Sequence, residues 1–372
     1  MRAVLLLLAA SAALLAVAAC GGSDVDTPVP TPEEAFEPAE VAATDELAAL
    51  PAPAAGLAFW SHPTLPFNSL VVAATSKGVI AYNIEDGAEV ARIDGLDAGG
   101  IAITYQGRGA TAQAIAAIYD RGAERFLFRA IGNVDRAFGP AFDPFAANDP
   151  VNGFCFGHAR NEEALTLYVL GGRSLTTFVL SEDGAVEKTG RYRAPKSAAA
   201  CVVDDVDGAV FVVTKDGAIY RFSNGRGFEQ RFAAARAENA VSINLALNGL
   251  VVGGPTDQCC GQVAVLDAAN GAVHLFDRDD GGPIGVVRLK AYDDVDGVSS
   301  ATAMALGYGN YGGLYRAGAV ALTTDGDAPA LRLAAMNGVA HALGFTLGSP
   351  ADPRRLTPQE EETVIDIDIV NP

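Results

Sequence analysis

The chain has 372 residues, half of them hydrophobic, and a formal net charge of −19. So large an acidic excess repels nucleic acid and free polyphosphate. We therefore expect no nucleic-acid partner, and we expect any bound phosphate ester to need cations as a bridge. The N-terminal segments described next leave about 315 residues, enough for one large domain.

An apolar segment begins the chain, in which Met1 and Arg2 precede an almost unbroken run of Ala, Leu and Val up to Ala19. One early cation, a short apolar run and small residues are typical of a secretory signal. A single membrane span is the alternative, but about 17 apolar residues are short for one. We predict a signal peptide over residues 1–19.

The four residues Val17–Cys20 are similar to a bacterial lipobox, in which the cysteine is acylated and becomes the new N-terminus. This resemblance implies a lipid on Cys20 as the protein's only contact with a membrane. Gly21 stands where an acidic retention signal would stand, which implies a lipoprotein of the outer membrane. We expect it on the periplasmic face of that membrane or at the cell surface.

The two segments that flank the central region differ from it in composition. Residues 20–55 are rich in Pro, Asp and Glu and show no apolar period, which predicts a flexible tether. The folded domain is expected at 56–356, followed by an acidic tail at 357–372.

Strand–turn–strand units recur along the central region. In each unit, β-branched and aromatic residues flank an Asp-Gly or Asn-Gly turn, which favours tight hairpins. Many short strands without strong helical periodicity indicate a sandwich, a barrel or a propeller. Loosely similar units of about 50 residues favour an all-β, six-bladed β-propeller. The clearest units are 78–93, 175–192, 208–223 and 261–276.

Four cysteines besides Cys20 are Cys155, Cys201, Cys259 and Cys260. In an oxidising compartment they can pair in three ways. Zinc is disfavoured because the chain has no C-x-x-C pair and few histidines. Cys155 and Cys201 fall at comparable points of successive repeats, so we predict a disulfide between them. The other two would then form a strained vicinal pair or stay free thiols.

Five segments, in this order, resemble the β-propeller phytase family. They match the family's first blade with its Trp and His-Pro, its alanine-rich strand with an Asn-Arg turn, and its Tyr-Gly-Phe/Leu-Cys segment. They also match its Glu-Gly-Cys/Met-x-x-Asp-Asp and Asp-Gly-x-Ser-Asp-Thr-Asp-Gly segments. A common order is more specific than any one short motif. The matching segments are 59–93, 116–131, 151–172, 198–222 and 296–326.

The resemblance implies a calcium-dependent phosphomonoester hydrolase. In such a site, carboxylates at the axial mouth bind several Ca²⁺ ions, which position a phosphate and help to ionise the attacking water. Phytate or another phosphorylated small molecule would be the substrate, and we expect a monomer. Carried over by position, the phosphate-binding residues would be Lys77, Arg121 and Arg173, and the calcium ligands Asp204, Asp205, Asp216 and Asp325.

This sequence departs from the family at its acidic positions. Ala199 and Ala200 replace Glu-Gly, Thr214 and Lys215 replace a Glu pair, and 300–303 read Ser-Ala-Thr-Ala in place of Ser-Asp-Thr-Asp. An alanine side chain gives a metal no oxygen, and aspartates before glycine are also ordinary turn residues. Two functions stay open: a phytase-like hydrolase of weakened activity, or a non-catalytic binding propeller tethered to the envelope.

Overall fold

The computed structural model describes residues 36–354 except 108, 143, 148–149, 160–163, 225, 231 and 248–260. The signal peptide, Cys20, Cys259, Cys260 and the tail at 357–372 lie outside the described residues. Within the described part of the chain, no helix is long and apolar enough to cross a membrane.

Six sheets form the blades of the propeller. Two strands, β1 (Ala39–Ala42) and β2 (Asp45–Ala49), come first in chain order and join the last two blades, as described below. Blade 1 is β3 (Ala54–Trp60), β4 (Leu70–Thr75), β5 (Gly78–Asn83) and β6 (Glu89–Asp94). Blade 2 is β7 (Ala98–Gln106), β8 (Gln113–Asp120), β9 (Arg125–Ile131) and β10 (Phe138–Ala141), with β11 (Phe145–Ala146) also on β9. Blade 3 is β12 (Gly153–His158), β13 (Leu165–Gly171), β14 (Ser174–Leu180) and β15 (Val186–Arg193).

Blade 4 is β16 (Ala198–Asp204), β17 (Ala209–Thr214), β18 (Ile219–Ser223) and β19 (Gly227–Gln230). Blade 5 is β20 (Ala240–Leu247), β21 (Gly261–Asp267), β22 (Ala272–Asp277) and β23 (Pro283–Lys290). Blade 6 is β24 (Ala301–Gly307), β25 (Ala319–Thr324) and β26 (Ala330–Ala335). One helix, α1 (Met336–Leu343), follows β26. The predicted six-bladed β-propeller is confirmed.

Most residues of the middle strands of the blades are buried. Every residue of β4, β5 and β13 is buried, because each blade packs between two others. Their sequences are correspondingly continuous apolar runs, and the turns between them carry the glycines. At Gly217 the backbone has φ of +85°, and a Cβ there would lie 2.1 Å from the carbonyl oxygen of Ala235. Glycine is therefore required at this turn.

The first strand of each blade lines the propeller axis. These six inner strands, β3, β7, β12, β16, β20 and β24, contact one another in a closed ring. Since they run in one direction and each blade is antiparallel, two faces of the disc are defined. The entry face carries the beginnings of the inner strands and the turns between the second and third strands of each blade. The exit face carries the ends of the inner strands.

The N-terminal strands close the ring, which corrects the predicted tether. Strand β2 pairs antiparallel with β26 as the fourth strand of blade 6, and β1 adds a parallel fifth strand to blade 5. Val41 and Ala43 are buried in the core between these two blades, and Leu50 in the core between blades 6 and 1. Residues 39–49 therefore belong to the folded domain, which begins well before residue 56.

Candidate functional site

The axial mouth at the entry face is built from small and neutral residues. The first three residues of the six inner strands read Ala-Ala-Gly, Ala-Gly-Gly, Gly-Phe-Cys, Ala-Ala-Ala, Ala-Val-Ser and Ala-Thr-Ala. None of these positions is acidic. Ala199, Ala301 and Ala303, which stand where the resemblance calls for acidic side chains, all lie here.

Below the mouth, the inner strands enclose a channel of about 250 Å³. Phe59, Phe154 and Met304 contribute to its wall. Close packing narrows it, since a Cβ added at Gly100 would lie 2.9 Å from the ring of Phe154. The wall also carries polar side chains, among them Asn244 and Tyr308, but no basic side chain of the described residues lines it, so basic groups for an anion are found at the rim and not in the channel.

The rim of the entry face carries a cation on each of four successive blades. The turns between the second and third strands of blades 1 to 4 present Lys77, Arg121, Arg173 and Lys215 in turn, and all four are exposed. Arg121 forms an ion pair with Asp97, with its Nη2 2.8 Å from Oδ1. Among the residues that the structure describes, none forms an ion pair with the other three. The three predicted phosphate-binding residues thus share one face.

The four predicted calcium ligands are divided between the two faces. Asp216 and Asp325 lie on entry-face turns of blades 4 and 6, whereas Asp204 and Asp205 lie at the exit-face end of β16. A strand of seven residues, such as β16, spans roughly 20 Å. One ion could not contact both pairs. Within the described residues, no group of three or more His, Cys, Asp or Glu is arranged to hold a metal ion.

The two aspartates at the exit face have protein partners. Asp204 is fully buried and its Oδ2 accepts a hydrogen bond of 2.6 Å from Nε of Arg278, which comes from blade 5. Asp205 accepts the backbone N–H of His158 at 2.6 Å, and burial raises the pKa of its carboxyl to about 6. Asp204 is therefore a structural residue, and Asp205 is an acid beside the channel.

The predicted pair Cys155 and Cys201 is joined by a disulfide, with the Cα atoms 5.4 Å apart. The bond connects the inner strands of blades 3 and 4, and both cysteines line the channel wall. Both side chains are nearly fully buried. The comparable positions of the two cysteines in successive repeats were enough to predict this disulfide from the sequence.

At the exit face, the C-terminal segment fixes Arg354 between blades 1 and 2. The guanidinium donates to the carbonyl oxygen of Ser61 from Nε and Nη2 (3.0 and 2.6 Å) and to that of Ala112 from Nη1 (2.6 Å). It lies 4.7 Å from the ring centre of Tyr105 and 5.5 Å from that of Trp60. Carbonyl dipoles and two aromatic faces thus stabilise a cation that is 1 % exposed.

Sequence reasoning assigned no role to Arg354 or Arg278. Arg354 is separated by 293 residues from Ser61, and Arg278 by 74 residues from Asp204. No local pattern connects residues so far apart. Asp204 stands in a sequence typical of a turn, and the family resemblance predicts it as a calcium ligand.

No family model matches the chain, and no curated protein matches it. Among solved structures, Hsv2 of Kluyveromyces lactis is 14 % identical over 75 % of this chain and 72 % of that chain, with a TM-score of 0.39. A streptogramin B lyase is 11 % identical over 75 % of this chain and 79 % of its own, with a TM-score of 0.42. Identities and TM-scores this low support no statement about function. The six-bladed β-propeller fold follows from the strand pairing within this chain.

Proposed function

We propose that the protein is a non-catalytic propeller that binds a phosphorylated small molecule at its entry face without calcium. The observation that carries this proposal is the row of four basic side chains on successive blades. Lys77, Arg121, Arg173 and Lys215 lie on the face at which the inner strands begin without acidic residues. An acidic protein needs positive charge between itself and a bound phosphate, and in this proposal its own Lys and Arg side chains supply that charge in place of metal ions.

Electrostatics supports an anion at this rim despite the net charge of −19. At physiological ionic strength, charges further away than about 8 Å are largely screened, so the local field depends on the rim itself. Asp97 compensates Arg121 there and Asp216 follows Lys215, whereas Lys77 and Arg173 form no ion pair with any residue that the structure describes. Lysine offers a compact point charge and arginine a bidentate donor, and both suit phosphate oxygens. A ligand with several phosphates could contact several blades at once. Phytate, the substrate of the family that the sequence resembles, has this character.

The same mouth argues against hydrolysis. Calcium needs six to eight oxygen ligands, usually with several carboxylates among them. The inner-strand positions supply alanine and glycine instead, so a metal-activated water has no support there. Weak calcium-dependent hydrolysis is the second candidate, and it rests on the family resemblance and on Asp216 and Asp325 at the same face.

Isothermal titration of the protein with phytate in EDTA tests the proposal. We expect binding in the absence of calcium, and at least about tenfold weaker binding after Lys77→Glu with Lys215→Glu. Arg316→Glu is the matched control, because Arg316 is an exposed cation in the exit-face loop between β24 and β25. It should leave the affinity within about twofold.

A phosphate-release assay on phytate and simple phosphomonoesters separates the two candidates. We expect release at background level with and without Ca²⁺. Brisk release that depends on Ca²⁺ would establish the hydrolase, and absence of phytate binding in EDTA would refute the binding proposal.

A further inference from the structure

Asp205 is the only acidic or basic side chain among the described residues that line the axial channel. It directly follows the inner strand β16, so it lies at the exit-face end of the channel, and it is partly exposed there. The channel thus places one negative charge in a wall that is otherwise neutral. A charge in such surroundings is costly unless a partner compensates it.

One oxygen of the Asp205 carboxylate has a protein partner, and the other has none among the residues that the structure describes. Oδ1 accepts the backbone N–H of His158 at 2.6 Å. Oδ2 forms neither a hydrogen bond nor an ion pair with a described residue. The protein does not enclose this oxygen, so a ligand in the channel can reach it.

The basic side chains near this end of the channel have other partners. Arg278 forms its ion pair with Asp204, and Arg354 donates to backbone carbonyl oxygens. The imidazole of His158 has its Nε2 2.7 Å from the carbonyl oxygen of Tyr105. Compensation of the carboxylate in the channel is therefore left to a cation that enters the channel.

Tyr308 brings an unpaired hydroxyl to the same end of the channel. The residue directly follows the inner strand β24, and its hydroxyl makes no hydrogen bond to any residue that the structure describes. Burial raises the pKa of this phenol and the charge of Asp205 raises it further, so the two groups lie close enough to interact. Phe59 and Tyr311 also line the channel, with their ring centres 5.0 Å apart. Acceptor oxygens and aromatic rings therefore occur together here.

We propose that the exit-face end of the channel binds the ammonium group of a small organic amine, and that the apolar body of this amine lies in the channel. A primary ammonium donates three hydrogen bonds, which the carboxylate of Asp205 and the hydroxyl oxygen of Tyr308 can accept. The faces of aromatic rings attract a cation as well. An anion is repelled by the carboxylate, and a neutral ligand leaves its charge uncompensated.

The channel is large enough for the body of such an amine. A cavity of about 150 Å³ in another protein holds benzene, and this channel has about 250 Å³. Phe59, Phe154 and Met304 in its wall give an aryl group apolar contacts. Since the basic rim lies on the entry face and the carboxylate at the exit-face end, this proposal does not rest on the proposed binding of phosphate.

A ligand-observed NMR titration (saturation transfer) of the full chain with phenethylamine at pH 8 tests the proposal. At this pH Asp205 is ionised, and physiological ionic strength screens the attraction of the amine to distant acidic residues. We expect a Kd on the order of 1 mM or lower, and binding at least about tenfold weaker for 2-phenylethanol, which has the same body without the charge.

Asp205→Asn should weaken phenethylamine binding at least about tenfold and leave 2-phenylethanol binding within about twofold, because it removes the charge and keeps the shape. Removal of a buried, uncompensated charge does not destabilise the fold, so this variant is expected to fold. Tyr308→Phe keeps the ring and should weaken binding of the amine about threefold.

Asp325→Asn is the matched control, since Asp325 is an exposed acid on an entry-face turn. It should leave amine binding within about twofold. The proposal is overturned if phenethylamine binds no more tightly than 2-phenylethanol, or if Asp205→Asn binds the amine as the wild type does. It is also overturned if Asp325→Asn weakens amine binding as much as Asp205→Asn, since the attraction would then come from the net charge of the protein.

Discussion

The two faces of the propeller use charged residues in opposite ways. On the exit face, Asp204, Arg278 and Arg354 are buried and paired, and they connect blades or fix the end of the chain. On the entry face, Lys77 and Lys215 stand exposed on turns around the mouth. Except for Arg354, the sequence places both kinds of charged residue in similar surroundings, at the ends of apolar strands or directly after them. What distinguishes them is the partner, and the partner comes from a distant blade.

The largest effect is expected from breaking the buried pair at the exit face. Asp204→Ala leaves Arg278 without its main partner, while its side chain is 8 % exposed. Removing one member of a buried pair typically costs about 3–5 kcal/mol of unfolding free energy. Urea denaturation measures this loss. Asp325→Ala on the entry face is the control and should change the free energy by about 0.5 kcal/mol or less. Equal effects of the two substitutions would contradict the contrast between the faces.

Arg354→Met should have the next largest effect. The substitution keeps an apolar chain of similar length but leaves the carbonyl oxygen of Ser61 without its donor and that of Ala112 with the amide of Asn133 alone. It also removes the cation from between two aromatic rings. We expect a loss of about 3 kcal/mol. Arg316→Met, at an exposed position, should be nearly neutral in the same urea titration. A neutral Arg354→Met would show that the C-terminal segment does not stabilise the exit face.

Substitution of Asp205 should change the free energy of unfolding by a smaller amount that depends on pH. Its pKa is raised by burial from 3.8 to about 6 in the folded protein, so folding favours the protonated form. Its stabilising contribution is complete below pH 4 and is lost as pH rises through about 6. The free energy of unfolding of Asp205→Asn should therefore exceed that of the wild type by at most about 3 kcal/mol at pH 7 and match it near pH 4. Urea titrations at both values check this, and a difference independent of pH would contradict it.

Calcium should have the smallest effect on the wild type. A ligand that binds only the native state raises the melting temperature by mass action. Without carboxylates at the mouth, we expect millimolar Ca²⁺ to shift that temperature by a few degrees at most. Ala199→Glu with Lys215→Glu should increase the shift, because it restores acids at the entry face. A large shift in the wild type would mean that Asp216 and Asp325 already bind calcium there.

Local sequence patterns were sufficient to predict the hairpins of the blades. Asp-Gly and Asn-Gly turns between apolar runs predicted the hairpins at 78–93, 175–192, 208–223 and 261–276, and the structure has paired strands in each. A hairpin is specified by residues close in sequence, so its signal is complete within about twenty residues. The number of blades then followed from length.

Long-range pairings could not be predicted in the same way. Strand β2 is short, acidic and rich in alanine, and it becomes a strand because β26 offers a free edge. Asp204 looked like a metal ligand or a turn residue until Arg278 was placed beside it. The site was predicted in part: the sequence identified the basic turns, but their common face follows from the ring of inner strands.

The pairing of β2 with β26 also has a consequence for the order of folding. Arg332 on β26 and Glu46 on β2 are separated by 286 residues, and Nη2 of the arginine lies 3.1 Å from Oε2 of the glutamate. During synthesis, the first strands to leave the ribosome are therefore among the last to find their partners. Contacts this distant in sequence slow folding, because the loop must close before the contact stabilises it. Strand β1 can pair once β23 has emerged, but the ring can close only after β26 has emerged. Until then the nascent protein carries β2 as an unpaired strand that other chains could capture.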